Sequence, residues 1–109
     1  MSSVIHISAP SVLTQAHRDA MAYIQELATT ISMQGVYCVS AEYAGVSHEF
    51  RTSVLLFSEI SKDNFKAHTT LNVYLPGRQR WAGDNALEEL QAMARVLEGF
   101  LIPPSGDAA

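Results

Sequence analysis

The apolar residues of this chain recur at helical spacing up to Gln34, alternate from Val36 to Leu75, and return to helical spacing after Asn85. A helix stripe and a strand face need different periods, so this order admits few folds: a block of strands between two amphipathic helices. Over residues 11–34 the stripe is Leu13, Ala16, Ala20, Ile24, Leu27 and Ile31. Gly35 follows where a left-handed residue is wanted after a helix. Ser8, Ser11 and Thr14 are each competent to cap the start.

In the alternating block, Tyr37, Val39, Ala41 and Tyr43 oppose Cys38, Ser40 and Glu42. After a turn at residues 45–48, Phe50, Thr52, Val54 and Leu56 oppose Arg51, Ser53, Leu55 and Phe57, which predicts a hairpin. Residues 58–64 read as a polar loop. Leu71, Val73 and Leu75, set against Thr70, Asn72 and Tyr74, give another strand that ends at Pro76-Gly77. Asn85-Ala86-Leu87-Glu88 has the form of a capping box. It opens a helix with the stripe Leu87, Leu90, Ala94, Leu97 and Leu101, widened by Met93 and Phe100 and stopped by Pro103-Pro104. Ahead of the first helix, Val4-Ile5-His6-Ile7 is β-branched at three of four positions and stops at Pro10, which reads as a short first strand. The expected fold is therefore α+β: a β-α-β-β-β-α two-layer sandwich, mainly antiparallel, with both helices on one sheet face. Residues 1–104 are expected to form one domain and 105–109 a disordered C-terminal tail.

Hydrophobic content of 48% in 109 residues is enough to bury roughly two-thirds of the unfolded surface without a disulfide or metal staple. The single cysteine, Cys38, excludes an intrachain disulfide, and no basic and apolar leader opens the sequence, so a cytoplasmic location is expected. The longest aliphatic or aromatic run, Val54-Leu55-Leu56-Phe57, is far too short to span a membrane. A net charge of −4 and a pI near 5.4 argue against nucleic acid as a partner. The charge is unevenly spread: residues 62–80 carry four basic groups against Asp63, and residues 84–98 carry four acids against Arg95.

Two surfaces stand out. Residues 76–83 place Arg78, Arg80 and the only tryptophan, Trp81, in a loop flanked by glycines, and Arg and Trp are enriched at binding hot spots. This loop is the expected partner-binding site. If the helices cover Tyr37, Val39, Phe50, Val54, Leu71 and Val73, the opposite face presents Arg51, Leu55, Phe57 and Tyr74 as a dimer or ligand face, beside His6, Cys38, Ser40, Thr70 and Asn72. The four histidines, His6, His17, His48 and His68, show no zinc-ligand spacing, and Cys38 has no second cysteine, so neither a metal nor a cofactor is expected. Nucleotide-binding and nucleophile-elbow motifs are absent. Triads assembled from distant residues leave no local signature, so catalysis on the sheet face by His6, Cys38, His68 or Tyr74 stays open.

The element order resembles two RNA-binding families. Gly45-Val46-Ser47-His48 is similar to the Gly-Pro-x-His turn of the double-stranded RNA-binding domain, without its proline, and the resemblance implies phosphate contacts at the start of the last helix, where this chain has Asp84, Glu88 and Glu89. The ribosome hibernation-promoting factors are similar in order and length, which implies a ribosomal partner. Three functions follow as expectations: a non-enzymatic module that docks onto a protein partner as a regulator or inhibitor, alone or as a homodimer; an RNA- or ribosome-binding module; and a small enzyme or ligand carrier using the open sheet face.

Overall fold

A computed structural model describes residues 12–79 and 82–103 of the chain. The expected first strand at residues 4–7, the tail at 105–109, and Arg80 and Trp81 lie outside the described residues. Chain order is α1 (Gln15–Met33), β1 (Tyr37–Ala44), β2 (Glu49–Leu56), the single-turn α2 (Phe57–Ile60), β3 (Thr69–Tyr74) and α3 (Ala86–Glu98). The three strands form an antiparallel sheet in the order β1-β2-β3, with Val39 opposite Val54 and Phe50 opposite Val73. Both long helices pack on one face of it, giving the α+β two-layer sandwich that the periods dictate.

The core lies between the layers. Ile24, Leu27 and Ile31 of α1 and Leu90, Met93 and Leu97 of α3 meet Val39, Phe50, Val54 and Val73 of the sheet. Phe50, on the central strand, is wholly buried, and a side chain of that size contributes roughly 2–3 kcal/mol by leaving water. Thr52 is buried beside it at 2% exposure, and its hydroxyl has no hydrogen-bond partner among the described residues.

The ends of the elements differ from the sequence reading. Helix α1 starts at Gln15 rather than near Ser11, with Thr14 as its cap. The capping box sits here: Thr14 Oγ1 accepts from the His17 amide at 3.4 Å, and His17 Nδ1 accepts from the Thr14 amide at 3.0 Å. The box expected at Asn85 does not form. The Asn85 backbone has φ −108° and ψ 21°, its side chain makes no cap bond, and α3 keeps instead the favourable charges of Glu88 and Glu89 in its first turn. Helix α3 also stops at Glu98, before the prolines, where turn bonds such as Phe100 N–H to Leu97 O (2.8 Å) take over. The loop expected at residues 58–64 begins with helix: Phe57 N–H pairs with Val36 O at 3.0 Å as the last rung of the hairpin, and the chain then coils through α2. Gly35 is left-handed, with φ +87°.

At the far end of the chain the Gln34 side chain clamps the segment after α3. Its Nε2 donates to Ile102 O, and its Oε1 accepts from Ile102 N, both at 2.9 Å. No helix among the described residues is long and apolar enough to cross a membrane.

Candidate functional site

One end of the sandwich is built from the β1–β2 turn and the loop after β3. His48 holds the left-handed conformation, φ 52°, that closes the turn. Its Nε2 bonds to Pro76 O at 2.8 Å, and its Nδ1 bonds to the Tyr43 hydroxyl at 2.8 Å. A carbonyl oxygen can only accept, so Nε2 carries the hydrogen. Neutral His48 then accepts the Tyr43 O–H at Nδ1. Arg78, an expected partner-binding residue, donates from Nη1 to Gly45 O at 2.6 Å and to Val46 O at 2.9 Å. Its guanidinium thus knits the post-β3 loop to the hairpin turn. The loop also closes tightly on itself: a Cβ on Gly83, at φ +96°, would stand 2.4 Å from Pro76 N.

The second region is the sheet face opposite the helices, and the register fixes its layout. Glu42, Arg51 and Asn72 form one row across the strands, Ser40, Ser53 and Thr70 the next, and Cys38 and Leu55 the one beyond. Glu49 lies almost buried between these groups: Asn72 Nδ2 donates to its Oε2 at 2.9 Å, and Arg51 Nε stands 3.7 Å from the same oxygen. The Ser47 hydroxyl and Asn72 amide turned toward it, with the Arg51 charge alongside, hold the Glu49 carboxyl below the usual carboxylate range.

The four residues expected to make a dimer or ligand face are therefore not one cluster. Arg51 and the 42%-exposed Tyr74 are diagonal neighbours near one end, since Tyr74 pairs with Glu49. Leu55, half-buried, lies four residues along β2 from Arg51, about 13 Å away at the usual strand rise, across the hydroxyl row. Phe57 belongs to α2, not to the strand, and is 37% exposed. The face is polar at its centre with apolar groups toward its ends.

The other candidates scatter. His68 lies just before β3, bonded to Thr69 Oγ1 at 3.0 Å and edge-on to Tyr37 and Phe100, with ring centroids 6.3 and 5.8 Å away. Cys38 is a free, half-buried thiol opposite Leu55. His17 is occupied in the α1 cap, and burial pushes its pKa down. Among the described residues no three His, Cys, Asp or Glu side chains converge to hold a metal ion.

The sequence reading missed the pairing of Tyr43 with His48 and the cavity of about 410 Å³ that this pair borders, between α1 and the hairpin end. Residues 43 and 48 flank a turn, which hints that they meet. Their contact with Pro76 and α1 is tertiary and leaves no spacing signal.

Compared with known protein families, with curated proteins and with solved structures, the chain matches none. The likeness to the two RNA-binding families therefore rests on element order and the 45–48 turn alone.

Proposed function

We propose that this domain is a protein-interaction module, a regulator or inhibitor that docks onto a protein partner through the sheet face its helices leave uncovered. The observation that carries the reading is the ordered polar cluster at one end of that face. Glu49 is held by Asn72 and Arg51, and exposed Tyr74 stands beside them. Tyrosine and arginine dominate binding hot spots, and side chains already fixed lose little freedom on docking. The weight moves from Arg78 toward the sheet, because the Arg78 guanidinium is engaged with turn carbonyls.

A second copy is one partner this face could take. Glu42 and Arg51 stand opposite each other across β1 and β2, and a two-fold axis would let each meet the other's counterpart. RNA draws little support from the same surface, where Glu42 and Glu49 outnumber Arg51.

The test is capture from native lysate by the tagged chain, with nuclease present, beside its mass in solution by light scattering. Wild type should retain a defined protein or form a dimer. Arg51→Ala with Tyr74→Ala should lose that association, and Arg95→Ala on α3 should keep it. A captured protein retained equally by the face variant, or recovery of nuclease-sensitive RNA alone, would contradict the reading.

A further inference from the structure

The cavity between α1 and the end of the hairpin has the features of a small-ligand site. Its volume, about 410 Å³, falls in the range of known ligand pockets, which combine apolar walls with a few convergent polar groups. Leu13, just before α1, and Met21 and Ala22 on the helix supply its apolar side, with wholly buried Phe50 behind them. Arg18, Gln25, Tyr43 and His48 are the polar groups that line it.

The charges around it select the ligand. Among the described residues no acid lines the cavity, although the chain as a whole carries −4. Among the described residues Arg51 is paired with Glu49, Lys62 with Glu59, and Arg78 with the carbonyls of the turn, whereas Arg18 has no side-chain partner among those same residues. The groove of about 470 Å³ between α1 and α3 differs in this respect: Asp19 and Glu98 line it along with Arg95. A guanidinium presents a planar fork that fits a carboxylate. One cation matches one negative charge, while a dianion would be left half-compensated beside apolar walls. The Tyr43 hydroxyl is oriented by His48, which is itself fixed through Pro76, so the polar rim is set before a ligand arrives.

We propose that this cavity binds a small organic monocarboxylate with an apolar body, its carboxylate on Arg18 and its hydrocarbon part against Leu13, Met21 and Ala22. The site lies on the helix side of the sheet and does not depend on the docking reading.

The experiment is an amide NMR titration of the isotope-labelled full chain with phenylpropionate, and separately with phenylpropanol, which keeps ring and chain but lacks the charge. Phenylpropionate should shift the amides of Arg18, Tyr43 and His48 to saturation with a Kd of about 1 mM or tighter, and the alcohol should bind at least about tenfold more weakly. Arg18 is exposed, so Arg18→Gln should keep the dispersed spectrum while weakening phenylpropionate about tenfold. The proposal is overturned if those amides show no saturable shift up to about 10 mM, well above a millimolar Kd. Equal binding of the alcohol, or undiminished binding by Arg18→Gln, overturns it as well.

Discussion

His48 Nε2 donates to the Pro76 carbonyl at 2.8 Å, joining the β1–β2 turn to the loop that follows β3. With Arg78 bonded to Gly45 and Val46, and Leu75 N–H bonded to His48 O at 3.0 Å, this contact makes two sequence-distant loops a single structural unit. Replacing His48 tests that unit in two ways. His48→Ala should lose about 1–3 kcal/mol in urea unfolding, because it strips a partner from the carbonyl of buried Pro76. His48→Gly loses the same bonds but relieves the left-handed strain that histidine and alanine both carry at φ 52°, and should be about 1 kcal/mol less damaging.

Gly83 should not tolerate a side chain. A Cβ there would lie 2.5 Å from Pro76 Cα and 2.7 Å from Leu75 C, backbone atoms that cannot move aside cheaply. Gly83→Ala should cost about 3 kcal/mol or more, whereas Gly45→Ala, whose Cβ would meet only Tyr43 Cε2 at 3.6 Å, should stay within about 0.5 kcal/mol of wild type. Paired thermal unfolding curves decide it, and equal effects would contradict the tight closure of the loop.

Thr52 offers a stabilising change. Its buried hydroxyl lacks a partner among the described residues, so valine removes a desolvated polar group at nearly constant shape. Thr52→Val should gain about 1 kcal/mol in urea unfolding.

Stability should depend on His17 in mildly acidic solution. Burial lowers its pKa from the ordinary 6.5, so protons bind the unfolded chain more readily than the native one. The native state therefore has its full stability above about pH 6.5 and loses it as the pH falls toward the lowered native value. Protonation would also take the Nδ1 lone pair that accepts from the Thr14 amide. His17→Gln keeps a capping acceptor without a titrating group, and should flatten this part of the pH–stability curve measured by urea unfolding.

These tests bear on features that differ in how far the sequence announces them. The stripe from Ala20 through Ile31 and the opposed Phe50, Thr52 and Val54 are visible because burial on one face imposes a strict period. Gly35 announces itself through the left-handed geometry that glycine favours. The cap on α1 was harder to place, because histidine at the third helical position replaces the usual Glu or Gln as reciprocal acceptor. At Asn85 the expected pattern is present and the bond is not, because the cap depends on backbone angles the pattern does not contain. The sheet face was legible as a residue set but not as a layout, since the separation of Leu55 from Arg51 and Tyr74 depends on strand register. Arg78 was legible as a binding residue type, and its engagement with the turn is a tertiary fact.

The central claim, docking through the uncovered sheet face, is tested most directly by placing a charge at its middle. Ser53 stands between Ser40 and Thr70 in the hydroxyl row and is half-buried. Calorimetric titration of the captured protein, or dilution of the dimer if the partner is a second copy, should show Ser53→Arg weakening association by about 2 kcal/mol, roughly thirtyfold, while the fold is retained. Unchanged affinity in a folded Ser53→Arg variant would contradict the assignment of this face as the docking surface.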